Sequence, residues 1–225
     1  MRFAPLLAAA LLALVSPAEA GPAEVGVQVE KPAGDGVHFS QGSGVYLGEG
    51  LVLTAAHVVA VDPGSNRVTV LLDGVRQDAT QVFDGRAEGT DLALLSLPAA
   101  SLSPARRTQP AVAVCAENPE PSRPVQVAAL GSVSVAFTIP SPLNSEGPSD
   151  TGRWTNILAT GYKAGSSGGG VFDPRQGCLW GILAVELSGP AKSSGRFLDL
   201  TAFVPASKIA PFLRTYAESH RQAAE

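Results

Sequence analysis

"GSGVYLGEGLVLTAAHVV", residues 42–59, holds two short apolar runs on either side of the turn-forming triplet Gly48-Glu49-Gly50. Val45 and Leu47 before the triplet, and Leu51 and Leu53 after it, fall at every second position. That period belongs to a strand with one buried face. Read as two strands, the stretch leaves His57 just past the end of the second one. Imidazole is the side chain suited to taking up and returning a proton near neutral pH. A lone histidine in such a place is more often structural, so the rest of the chain has to decide its role.

The same style continues on both sides of the middle. "RVTVLL" alternates from Arg67 and stops at the turn pair Asp73-Gly74. Asp91 opens "DLALLSL", and Leu92 to Leu97 is apolar enough for a strand covered on both faces. Residues 98–123 break the pattern with prolines at 98, 104, 110, 119 and 121, and read as a connector in which "AVAV" can pair briefly. "VQVAAL", "VAFTI", "NILAT", "GGGVFD" and "CLWGILAVEL" are further strand candidates, with the turn-rich "PSPLNSEGPSDTGRW" between the second and third. Only the end reads as helix. There Ser207 can cap, Pro211 is placed in the first turn, and Ile209, Phe212, Leu213 and Tyr216 fall near one face. The expected fold is all-β: two groups of about six strands, a connector and one terminal helix, as barrels or a sandwich.

The chain has 225 residues, 45% hydrophobic and 16% charged, which provides a real core and excludes wholesale disorder. A net charge of −4 and a pI near 5.4 argue against a general phosphate-binding surface, so no nucleic-acid partner is expected. Residues 1–20 read as an export signal. Arg2 is the positive start, Phe3 to Val15 is apolar apart from Pro5, and Ala18-Glu19-Ala20 is a cleavage site. The alternative, a membrane anchor, needs about 20 apolar residues to cross ~30 Å, and this run is shorter. No later segment is long and apolar enough, so no membrane span is expected. Export places the chain from Gly21 onward in a periplasm or outside the cell. In that oxidising setting an even pair, Cys115 and Cys178, favours one disulfide over two buried thiols. His38, His57 and His220 lie far apart, and no cysteine–histidine spacing fits zinc, so neither metal nor cofactor is expected.

The chemistry lies in three segments: "TAAH" with His57, "TDLALL" with Asp91, and "AGSSGGG" with two serines in a glycine loop before a strand. Each is weak alone. Together they give the order His, Asp, Ser, one of the known chain orders of the serine-hydrolase triad. With these motifs the chain resembles the chymotrypsin-like (trypsin-type) serine proteases. "GSGVYLGEGLVLTAAHVV", "DGRAEGTDLALLSL" and "LWGILAVEL" are most similar to bacterial periplasmic proteases of the high-temperature-requirement type, over about residues 40–214.

The resemblance implies two six-stranded antiparallel barrels with a C-terminal helix and the active site between them. Residues 21–113 would form the first barrel, with His57 and Asp91, and residues 114–225 the second, with Ser167 and the helix. It implies an endopeptidase acting on polypeptides through an acyl-enzyme. A serine hydroxyl needs a base, which His57 supplies, and Asp91 would orient and stabilise the imidazole. Oxyanion donors in this family are the backbone N–H of the nucleophile and of the residue two before it. For Ser167 that second donor is Gly165; for Ser166 it would be Ala164. Ser167 is therefore the expected nucleophile.

Two departures matter. Ser166 stands where digestive members carry an aspartate for the freed amino terminus, so activation by an N-terminal ion pair is not expected and residues 21–36 read as a lead-in. No room is left after the helix for the PDZ domain usual in the high-temperature-requirement enzymes, so regulation through one within this chain is not expected, and no oligomer is implied. Competing readings are a protease homologue kept as a binding protein and a small-ester hydrolase on the same fold.

For substrate contact the resemblance points to Gly161, Tyr162, Lys163, Ala184, Val185, Glu186 and Thr201. Gly161 stands six before Ser167, where trypsin-like members place the aspartate that captures Arg or Lys, so a basic preference from the floor is not expected. With Leu183, Ala184 and Val185 apolar and Thr201 small, the expectation is cleavage after Val, Ala or Leu. Lys163 and Glu186 either pair or face solvent; a buried, unpaired Lys163 would favour an acidic residue instead.

Overall fold

A computed structural model describes residues 24–33, 36–60, 67–140, 156–190 and 197–222. The expected export signal, residues 1–20, lies outside them. Twelve strands form two closed antiparallel barrels. The first contains β1 (Glu24–Ala33), β2 (Gly36–Gly48), β3 (Leu51–Thr54), β4 (Arg67–Leu72), β5 (Val75–Asp84) and β6 (Ala93–Ser96), closed in the order β1-β2-β3-β6-β5-β4. The second contains β7 (Pro124–Ala129), β8 (Ser132–Ile139), β9 (Ile157–Leu158), β10 (Gly170–Phe172), β11 (Leu179–Pro190) and β12 (Phe197–Pro205), closed in the order β10-β11-β12-β9-β8-β7. A short helix, α1 (Pro104–Arg107), lies in the connector, and α2 (Ala206–Gln222) ends the described chain. This is the chymotrypsin-like architecture.

Alternation marks β1, where Val25, Val27 and Val29 are buried between half-buried neighbours, and marks β4 only in part, because Thr69 is buried as well. In β4, Val68 and Val70 are buried while Arg67 and Leu71 are exposed, and Asp73-Gly74 makes the tight turn into β5. In β6, Ala93, Leu94 and Leu95 are all fully buried, as a strand covered on both faces requires. "AVAV" pairs as expected, through a bridge from Val114 to Leu179. Cys115 and Cys178 form a disulfide, Cα atoms 5.2 Å apart, which fastens the connector to the second barrel.

Several expectations change. Residues 24–33 are not a lead-in: they form β1, paired to β2 and β4, with Val25, Val27 and Val29 buried in the core. The helix starts at Ala206, so Pro211 lies inside it, where its ring removes an intrahelical hydrogen bond. Ser207 is not the cap: its backbone N–H donates to Asn118 Oδ1 (3.0 Å), and Asn118 Nδ2 donates back to the Ser207 hydroxyl (3.0 Å). The capping group thus comes from the connector, 89 residues earlier. The expected apolar face of α2 does pack. Ile209 and Phe212 are buried, and the Phe212 ring stands 5.1 Å from that of Phe83 on β5. The terminal helix therefore follows the second barrel in sequence but braces the first.

Candidate active site

β3 and β6 are neighbours, with Thr54 opposite Ala93. His57 comes three residues after β3 ends, on a turn closed by Val58 N–H to Ala55 O (3.1 Å). Asp91 comes two residues before β6 begins. Two adjacent strand ends thus deliver the two side chains to one place. The His57 ring Nδ1 donates to Asp91 Oδ2 (2.7 Å), and the His57 backbone N–H donates to Asp91 Oδ1 (2.9 Å). One carboxylate holds both the ring and the main chain of the same residue, which restrains the imidazole and leaves Nε2 outside the Asp91 contact. Burial presses the Asp91 carboxyl upward. The hydrogen bond and charge of His57, with the backbone N–H groups of His57 and Ala56, outweigh it and hold the group below its ordinary value. Asp91 is ionised at neutral pH, the state in which it accepts both bonds.

The glycine loop lies between β9 and β10. Ser166 N–H donates to Lys163 O (3.0 Å), closing a four-residue turn whose third residue, Gly165, has φ +93°. That is the position at which a type II turn requires a positive φ, and glycine adopts it without a steric penalty. Gly168, at φ +89°, has a second constraint: a β-carbon there would stand 2.0 Å from the Ser43 carbonyl oxygen. The loop is tied to β11 by Gly168 N–H to Leu183 O and Leu183 N–H to Gly169 O, both 2.8 Å. Pairing between β11 and β12 slips between Leu183 and Val185. Ala184 is the residue at that irregularity, and its carbonyl accepts the Ser167 hydroxyl at 3.4 Å. Ser166 is buried, whereas Ser167 is partly accessible.

A pocket of about 50 Å³ adjoins the loop, lined by Tyr162, Lys163, Ser167, Leu183, Ala184, Val185, Glu186 and Thr201 among others. Thr201 closes it by accepting the Tyr162 backbone N–H (2.8 Å), and the Tyr162 hydroxyl is engaged with Ser134 (2.8 Å). Lys163 and Glu186 are exposed, with no ion pair between them among the described residues. Gly161 lies outside the lining. The carboxylate of Asp199, on β12, occupies the space its β-carbon would take, 1.6 Å from that point. An acidic group thus does stand against Gly161, donated by another strand, though it too is outside the lining. Pattern reading missed Asp199 and Ser134 because both lie on strands away from the motifs. The one available signal was alternation in "FLDLTAFVP", which puts Asp199 on the same face as Thr201.

The sequence pattern of the trypsin-like peptidase domain matches residues 42–182, more than half of the chain. The chain belongs to the trypsin-like peptidase family. It is a serine peptidase, a hydrolase of peptide bonds. The fold is shared with crystal structures of the Rv3671c protease from M. tuberculosis. Its active form has a TM-score of 0.57 and 20% identity, covering 86% of this chain and 80% of that one. Its inactive form has a TM-score of 0.53 and 21% identity, covering 85% and 88%. The structure of Deg5 has a TM-score of 0.56 and 20% identity, covering 85% and 87%. No curated protein sequence matches this trypsin-like peptidase significantly. No helix among its described residues is long and apolar enough to cross a membrane, and no group of three or more His, Cys, Asp or Glu there could hold a metal ion.

Proposed function

We propose that this trypsin-like peptidase is an exported endopeptidase that cleaves polypeptides through Ser167, His57 and Asp91. The observation that carries the reading is the double grip of Asp91 on His57, at 2.7 and 2.9 Å. It keeps the proton on Nδ1, so Nε2 is the nitrogen that can take the proton of the Ser167 hydroxyl as the oxygen attacks the scissile carbonyl. The oxyanion that forms is met by the backbone N–H groups of Gly165 and Ser167. His57 then passes its proton to the leaving amine, and water repeats the sequence on the acyl-enzyme. Ser167 now donates to Ala184, and a bound substrate would draw it towards His57; such bonds commonly tighten only in the complex. Export is supported by the Cys115–Cys178 disulfide and by the signal pattern of residues 1–20.

The small pocket, with Leu183, Ala184 and Val185 in its lining and Thr201 closing it, supports cleavage after Val, Ala or Leu. Lys163 is exposed, which removes the buried cation that an acidic preference would need. The test has two arms. A serine-directed peptidyl phosphonate should label the protein and fail to label Ser167→Ala; labelling that survives this change, or none at all, overturns the triad. A peptide library should be cut after small or medium apolar residues. Dominance by Arg or Lys would instead assign the specificity to Asp199, and hydrolysis of esters alone would overturn the endopeptidase.

A further inference from the structure

Ser43, on β2 of the first barrel, is 1% exposed and touches the glycine loop of the second barrel twice. Its backbone N–H donates to Ser167 O (2.8 Å), and its hydroxyl donates to Gly165 O (3.1 Å). Gly165 and Ser167 are the two residues whose N–H groups form the oxyanion site in the reading above, on which this inference rests. Both have their carbonyls tied to this one serine. The hydroxyl acts in both directions: having given its proton to Gly165, it accepts the backbone N–H of Leu130 (3.0 Å). Leu130 holds a left-handed conformation, φ 53°, in the tight turn between β7 and β8, and the next N–H, of Gly131, donates to Glu24 Oε2 on β1 (2.8 Å). On the far side, the Ser43 carbonyl accepts the Thr54 hydroxyl (2.7 Å), three residues before His57.

We infer that Ser43 is a positioning residue for the reaction, whose hydroxyl holds the oxyanion donors of the second barrel in register with the base of the first. With the Gly165 carbonyl bound by Ser43 and the Ser166 N–H bound by Lys163, the Gly165–Ser166 peptide is held at both ends. This fixes the place of the Gly165 Cα, from which the donor N–H projects. The Leu130 side chain closes the other side, 3.0 Å from where a β-carbon on Gly165 would lie. Removing the hydroxyl takes the partner from the part-buried Leu130 N–H and Gly165 C=O together and frees the loop to shift. A misplacement of about 1 Å in a reacting site can cost about 10²-fold in rate.

The experiment is Ser43→Ala in the full chain, compared with wild type on one peptide substrate. The expected result is a fall in kcat of about 10- to 100-fold with KM changed less than about two-fold, since the lost interaction acts only on the transition state. Affinity for a peptidyl boronate, whose adduct fills the oxyanion site, should fall by the same factor. Binding of the uncleaved peptide, measured in the Ser167→Ala background, should not fall. The pH profile should keep its position, because the His57–Asp91 pair is untouched. A kcat within two-fold of wild type, or an equal loss of boronate and uncleaved-peptide binding, overturns the inference. If Ser43→Ala does not fold, Ser43→Cys, which keeps the shape with a much weaker donor, is read in the same way. A wild-type protein that neither takes up phosphonate nor cuts peptides would defeat the functional reading instead. A labelled, active wild type with a fully active Ser43→Ala defeats this inference alone.

Discussion

The two barrels hold the side chains of the proposed triad by different means. The first barrel places His57 and Asp91 through its own sheet. β3 and β6 are hydrogen-bonded neighbours, so their adjoining ends meet however the rest of the molecule is arranged. The second barrel holds the loop of Ser167 partly through the first. Its loop is tied to β11, but the carbonyls of Gly165 and Ser167 are held by Ser43 of the other barrel. In the proposed triad, the base is thus positioned within a sheet and the nucleophile across an interface. The connector shows the same split. It is fastened to the first barrel by an ion pair, Asp73 with Arg106, and to the second by a disulfide.

The largest test of this contrast is Asp91→Asn. The amide can keep much of the shape while reversing the tautomer it favours on His57, so activity should fall about 10⁴-fold with the fold intact. Peptide hydrolysis and a thermal melt measured together check it. An active Asp91→Asn would show that the first barrel does not set the base.

Next is Gly168→Ala, aimed at the interface. A β-carbon there meets the Ser43 carbonyl at 2.0 Å and the Thr54 hydroxyl at 2.2 Å, on a residue with φ +89°. The loop must leave the first barrel to accommodate it. Activity should drop by about 10²-fold or more, with a lowered melting temperature. Retention of both would mean that the loop does not rely on the other barrel.

Replacing both Cys115 and Cys178 by Ala should act on stability. Releasing a crosslink across 63 residues corresponds to about 4 kcal/mol in the chain-entropy model, while kcat in the folded protein should change little, because neither cysteine lines the pocket beside Ser167. Urea unfolding with and without reductant measures the first part and turnover the second. A large kcat loss at full folding would mean that the connector helps to set the loop.

The smallest effect belongs to the ion pair. The hydrogen bonds from Arg106 hold the Asp73 carboxyl below its ordinary value of 3.8. A depressed carboxylate stabilises the folded state above its unfolded value, and that stability is lost as pH falls through the lower, folded value. Asp73 is about half exposed, so Asp73→Asn should cost no more than about 1 kcal/mol at neutral pH. Melting curves of variant and wild type should converge in strong acid. A gap that persists there would assign the loss to packing instead of charge.

Sequence alone determined the elements whose signal is local. β4 begins at the Arg67 read from its alternation, β6 follows from a nearly all-apolar run, and the tight turn at Asp73-Gly74 follows from its residue types. The order of the motifs, read through the family they resemble, singled out His57, Asp91 and Ser167. β5 went unread because its residues are half polar and only partly buried, so no period shows. β1 was legible in the alternation of Val25, Val27 and Val29, and was passed over because a lead-in was expected there. Tertiary structure alone decided the rest. Asn118 caps a helix 89 residues away, Asp199 fills the space beside Gly161, and Ser43 holds a loop 122 residues further on. Each of these is one or two hydrogen bonds, or one steric contact, between distant segments. Periodicity records which face of a strand is buried, and carries no information about which distant atom that face will meet.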